Sequence, residues 1–173
     1  MKNNINIAVV GLGQVGSYLL NELNIKKKDI ELKTGKKINV VAVSARNINK
    51  KRQFKIDKKI FFKDPLEIFN KKKVDILFEA IGQSDGISKK IVETALKNKI
   101  HVITHNKALI SKHGNDLAKL SEKNNVNLEF EASVAGGIPI LRSIKEGLAT
   151  NKISKVFGIL NGTSNYILSE MEN

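Results

Sequence analysis

Gly11-Leu12-Gly13-Gln14-Val15-Gly16 is the first stretch of the chain whose residue types and spacing could do chemistry. It follows the apolar run Ile5–Val10, and beyond it Val15, Leu19, Leu20 and Leu23 recur at helical spacing. A glycine turn between a buried strand and a helix brings backbone amides and a helix N-terminus to one point, which suits a dinucleotide pyrophosphate. In that arrangement Gly11 allows the tight turn, Gly13 leaves the phosphate unobstructed, and Gly16 lets the helix pack on the strand. The second apolar run, Ile38–Ser44, is followed by Ala45-Arg46 and has no acid at its end. An acid there would bind ribose hydroxyls and favour NAD. The planar fork of Arg46 suits a 2′-phosphate instead, so NADP is preferred, with NAD possible.

The elements that must position these residues alternate along the chain. Strands are expected at 5–10, 38–44, 60–62 (short), 74–81, 100–104 and 128–131, and helices at 15–23, after Asp64-Pro65, from Ser84-Asp85 to about Asn98, and at 113–124. His105–Ile110 reads as a short turn or helix, and 25–37 as a polar connection. Such alternation argues for an α/β fold, a Rossmann-type doubly wound and mostly parallel sheet. The style changes at Ser133. After it come a glycine-rich bend, a helix from Pro139 to about Ala149, a strand over 153–160 and a helix over 163–171. These are too few to form a core of their own. The expected organisation is therefore a dinucleotide-binding domain over 1–132 and the incomplete beginning of a second domain over 133–173.

Composition narrows the function classes. With 41% hydrophobic residues the chain can bury a core, and no apolar run approaches the ~20 residues of a membrane span. Met1-Lys2-Asn3-Asn4 leads straight into a strand with no signal-peptide layout, so a cytoplasmic protein is expected. The absence of cysteine excludes disulfides, thiolate metal sites and thiol nucleophiles. The net charge of +13 is spread over short lysine runs, while aromatics are only 5% and tryptophan is absent. There is no stacking platform, so no nucleic-acid partner is expected. A solvated basic surface still favours an anionic cofactor.

Three further motifs carry a resemblance. They are Thr104-His105-Asn106-Lys107-Ala108-Leu109, then Phe130-Glu131-Ala132-Ser133-Val134-Ala135-Gly136-Gly137-Ile138-Pro139, then the stretch from Gly158 to Leu168 containing Asn161-Gly162-Thr163-Ser164-Asn165-Tyr166. In order, spacing and chemistry the chain resembles homoserine dehydrogenase. The resemblance implies NAD(P)-dependent interconversion of aspartate semialdehyde and homoserine, in the biosynthesis of threonine and methionine. The missing thiol agrees with it, because oxidation of the same aldehyde through a thiohemiacetal needs a cysteine.

By the same resemblance, Lys107 stands beside nicotinamide and substrate, where a cation polarises a developing alkoxide or relays a proton. Gly82 belongs to the nicotinamide side of the cofactor site. Glu131, Val134, Gly136 and Ile138 match positions holding a monovalent cation such as Na+, with one carboxylate and backbone carbonyls as hard ligands. Read from the residues alone, the lesser alternative is that Glu131 caps backbone amides at a hinge. Gly162 and Thr163 match a substrate-facing loop, and Thr163 also suits a helix N-cap. Two positions depart from the family pattern: His105 stands where a small residue is usual, and Gly82-Gln83 where a glycine pair is usual. In the family the substrate-gripping residues and the acid–base Asp and Lys lie beyond the equivalent of Asn173. The chain is thus expected to be the cofactor half plus the start of an α+β substrate and dimerisation domain. It is expected to be inactive alone and homodimeric in the full-length form. A non-catalytic NADP-binding module or subunit that needs a partner chain is the alternative.

Overall fold

The computed structural model describes residues 3–52, 56–158 and 162–172. It divides into two compact units, Met1–Phe130 and Glu131–Asn173.

The first unit is built on six parallel strands, β1 (Asn4–Val10), β2 (Lys37–Ser44), β3 (Phe61–Phe62), β4 (Ile76–Glu79), β5 (His101–Thr104) and β6 (Leu128–Glu129). Their spatial order is β3-β2-β1-β4-β5-β6. This is the Rossmann order, in which the chain reverses direction across the sheet between β1 and β4 and leaves a crevice at the carboxyl ends of both. Runs of Ile and Val form the central strands because both faces are covered. Ala8, Val10, Ala42, Leu77 and Val102 face Ile91, Val92, Ala95 and Leu96 of α4 (Ile87–Lys97), together with Leu109 and Leu117 of α5 (Lys107–Lys123). Ile7, Val9 and Val43 face the opposite side, under Leu19, Leu20 and Leu23 of α1 (Gln14–Ile25). Each buried aliphatic contributes about 1.5–3 kcal/mol, so these two layers hold the strand ends in register.

The doubly wound sheet agrees with the sequence expectation, and several local details differ. Residues 27–34 form a helix, α2, where a polar connection was expected. It buries nothing, so no apolar period marks it. Its end is set by Gly35, which adopts the left-handed conformation (φ 65°) and donates its N–H to Glu31. Residues 107–123 form one continuous helix, because the side chain of Asn106 caps it at Leu109 N–H (3.1 Å) ahead of the expected start at His113. α3 (Glu67–Lys71) forms after Asp64-Pro65, but it begins two residues beyond Pro65, which was expected at the first helical position. The helix after Ser84-Asp85 begins only at Ile87, with Gly86 as its cap, since the Asp85 side chain is turned toward α5.

In the second unit Glu131 starts a short helix, α6 (Glu131–Val134), and does not extend β6. α7 (Ile140–Arg142) continues into a π-helical turn over Ser143–Gly147, and α8 runs Gly162–Glu172. The expected strand over 153–160 is not formed at 153–158, and Ile159 and Leu160 lie outside the described residues. A strand needs a neighbour for its N–H and C=O groups, and among the described residues all six sheet strands belong to the first unit. Phe157 is left 85% exposed. Among the described residues no helix is long and apolar enough to cross a membrane.

Candidate functional site

The carboxyl ends of β1, β2 and β4 surround a cavity of about 530 Å³. Gly11, Leu12 and Gly13 form one wall, Ser44, Ala45 and Arg46 a second, and Ala80, Ile81 and Gln83 a third. The glycines of the turn differ in what surrounds them. Gly11 has φ 92°, and a Cβ on it would collide with the Ala80 carbonyl. A Cβ on Gly16 would collide with the Gly11 carbonyl, so Gly16 sets the close approach of α1 to the turn. Gly13 has open space where its side chain would be. It is also the N-cap of α1, and no side chain caps that helix. The free amides and positive dipole end of a 12-residue helix therefore lie beside a cradle that a Cβ would fill. That arrangement fits a pyrophosphate.

The cation content of the cavity is greater than Arg46 alone suggested. Lys50, Arg52 and Lys63 also line it. Arg46, Lys50 and Lys63 have no carboxylate partner among the described residues. Arg52 instead organises the loop after β2, donating to the main-chain oxygens of Asn47 (3.0 Å), Ile48 (3.0 Å) and Lys50 (2.9 Å). These residues escaped the sequence reading because a lysine-rich chain offers no contrast. Only their distance from β2 and β3 could have marked them.

The remaining candidates are placed as follows. Gln14 lines an adjoining hollow with Tyr18 and Lys51. Val15 and Gly16 lie in the first turn of α1, and Gly82 is in the loop after β4 with φ 88°. Lys107 is the exposed first residue of α5, three residues past the end of β5. None of these five is in the cavity wall. In the second unit both oxygens of Glu131 accept backbone N–H groups, from Leu141 and Arg142, each at 2.9 Å. Val134 closes α6, and Gly136 (φ 59°) and Ile138 lie in the link to α7. Among the described residues no group of three or more His, Asp or Glu could hold a metal ion, so a cation here would rely mostly on carbonyls. Gly162 and Thr163 open α8, and the loop before them lies outside the described residues.

Two hydrogen-bonded clusters support the loops at the crevice. Glu79, the last residue of β4, is fully buried and joins Thr104 (2.6 Å), Ser88 (3.0 Å) and the N–H of Ile81 (2.8 Å). Outside it, Asp85 accepts from Lys112 (2.8 Å), Ser84 (2.7 Å) and the ring of His113 (2.9 Å). The bond from Lys112, helped by Ser84 and His113, holds the Asp85 carboxyl well below the usual carboxylate range.

Comparison with known proteins agrees with this architecture. Residues 11–131 match the family model "Homoserine dehydrogenase, NAD binding domain", and residues 139–173 match the model "Homoserine dehydrogenase". The homoserine dehydrogenase of Neisseria gonorrhoeae is 42% identical over 96% of this chain, and that of Bacillus subtilis 35% identical over 96%. This chain spans 38% of the length of each. The crystal structure of a homoserine dehydrogenase from Thiobacillus denitrificans superposes with a TM-score of 0.82 at 36% identity, covering 97% of this chain and 38% of that one. The Staphylococcus aureus enzyme at pH 6.0 gives 0.77 at 43% identity, covering 99% and 42%.

Proposed function

The chain belongs to the homoserine dehydrogenase family, and from that premise we propose that its first unit binds NADP(H) for the reduction of L-aspartate 4-semialdehyde to L-homoserine. The family is one of oxidoreductases, and the matched domain indicates a nicotinamide cofactor. The observation that carries the proposal is Gly13, side-chain-free at the uncapped start of α1 and facing a cavity lined by Arg46, Lys50 and Lys63, which have no carboxylate partner among the described residues. The pyrophosphate would lie against Gly11–Gly16. Arg46 would hold the 2′-phosphate bidentately, with Lys50 and Lys63 adding positive potential. The cofactor, when bound, supplies the hydride.

The protein's own contribution at the reacting end would be electrostatic. Lys107 begins α5, where the helix dipole already favours negative charge and no acidic side chain occupies the first turn. Dipole and ammonium together would stabilise the oxygen of the substrate carbonyl as it gains charge. Gly82 would allow close backbone approach, and Gly162 and Thr163 would face the substrate. Glu131, Val134, Gly136 and Ile138 would hold a monovalent cation such as Na+. Reduction of the semialdehyde would serve threonine and methionine biosynthesis in the cytoplasm.

Exposed apolar side chains in the second unit, among them Val156, Phe157 and Met171, favour further protein covering it. A homodimer of the longer protein would supply that cover. So would a partner chain, in which case this polypeptide is a cofactor-binding subunit. Calorimetric titration with NADP and NAD tests the cofactor assignment. We further infer that this chain alone does not turn over aspartate semialdehyde, and steady turnover by it would contradict that reading.

A further inference from the structure

We propose that Glu79 is a positioning residue that sets the spacing between the cavity-lining loop after β4 and the start of α5 at Lys107. Glutamate is rarely buried completely unless paired, yet Glu79 has no exposed surface and no Lys or Arg partner among the described residues. Its burial is offset by four accepted hydrogen bonds, each from a different part of the fold. Oε1 accepts from the N–H of Ile81 (2.8 Å), the hydroxyl of Ser88 (3.0 Å) and the side-chain amide of Asn106 (3.4 Å). Oε2 accepts from Thr104 (2.6 Å).

Asn106 completes the link. Its side-chain amide also donates to the main-chain oxygen of Gln83 (2.8 Å), while its Oδ1 caps α5 at Leu109 (3.1 Å). Its own N–H donates to the Thr104 hydroxyl (3.0 Å). The buried carboxyl thus bonds Ile81 directly, and Asn106, the residue preceding Lys107, joins that carboxyl to Gln83. Filling the space requires only an apolar side chain of similar volume. Holding two loop ends at one distance requires the polar set.

This role rests on the proposed cofactor reading. Arg46 follows β2, so the adenosine half of a dinucleotide belongs on that side of the crevice, and its nicotinamide half on the β4–β5 side that Glu79 organises. Loosening Glu79 should therefore disturb one half of the ligand and spare the other.

Two variants test this. Glu79→Gln keeps the volume and replaces one acceptor oxygen with a donor. Asn106→Ser keeps a residue able to cap α5 and removes the bridge to Gln83 and Glu79. For each, NADPH binding is followed by emission of the reduced nicotinamide ring, and 2′,5′-ADP binding by calorimetry. The expected result is NADPH affinity lowered by about tenfold with diminished ring emission, and 2′,5′-ADP affinity within about twofold of the parent. Equal losses for both ligands, or no loss for either, would overturn the proposal. Should Glu79→Gln not fold, Asn106→Ser decides alone. If the parent chain binds neither ligand, the cofactor reading itself falls and the role of Glu79 falls with it.

Discussion

The N–H of Gly11 donates to the main-chain oxygen of Ser44 at 2.9 Å, tying the glycine turn to the end of β2 two residues before Arg46. The turn that would hold a pyrophosphate and the arginine that would hold a 2′-phosphate are therefore positioned by one backbone bond.

The three glycines of the turn should separate by consequence. Gly11→Ala and Gly16→Ala force a Cβ into a neighbouring carbonyl. Thermal denaturation should show losses on the order of 1–3 kcal/mol or more, with cofactor binding lost as well. Gly13→Ala adds a Cβ that meets no atom within 4 Å. It should leave the fold within about 0.5 kcal/mol and weaken dinucleotide binding more than about tenfold. Comparable destabilisation at all three positions would contradict the assigned roles.

Lys107 is expected to act on reaction and not on cofactor affinity. A chimera placing this chain in the matched 38% of the Neisseria gonorrhoeae relative should turn over aspartate semialdehyde with NADPH. Lys107→Met in that chimera should lower kcat by about 10²- to 10⁴-fold, with the NADPH Kd within about twofold. Weakened NADPH binding with unchanged kcat would reverse the assignment.

Much of this was legible before any coordinates, and for physical reasons. The strands of a parallel sheet are buried on both faces, so 5–10 and 38–44 stand out as unbroken apolar runs. The glycine turn is marked by its place between strand and helix. What stayed hidden lacked a local signal. α2 buries no side chain and is set by Gly35 and main-chain bonds. The continuity of α5 depends on the Asn106 cap. Glu79 did not stand out within the expected strand over 74–81, since its donors come from up to 27 residues away. Apolar residues at 153–158 read as a strand because periodicity does not report whether a partner strand exists.

Glu131 gives a test of the second unit. Its carboxyl caps the N–H groups of Leu141 and Arg142. Glu131→Ala should increase amide exchange over residues 140–147 by the equivalent of about 1 kcal/mol. If Glu131 also helps hold a monovalent cation, exchange in the parent should be slower in sodium than in tetramethylammonium chloride, and the variant should lose that difference. Identical exchange in the two salts would remove the cation from the account.

Asp85 sets a pH dependence whose sign follows from its partners. Lys112, Ser84 and His113 depress its carboxyl below the ordinary value of 3.8. A depressed carboxyl contributes stability that is complete above that value and lost as pH falls beneath it. The melting temperature of the parent should exceed that of Asp85→Asn near about pH 6, and the gap should close as the solution is acidified through and below the ordinary carboxyl range. A gap that widens on acidification would contradict the bonding pattern.

The central claim is that the first unit binds NADP in preference to NAD through Arg46. Calorimetric titration of one preparation with both cofactors, repeated on Arg46→Ala, tests it most directly. The account predicts tighter binding of NADP by the parent, a loss of about 10- to 100-fold in the variant for NADP, and a change within about twofold for NAD. Unchanged NADP affinity in Arg46→Ala would contradict it.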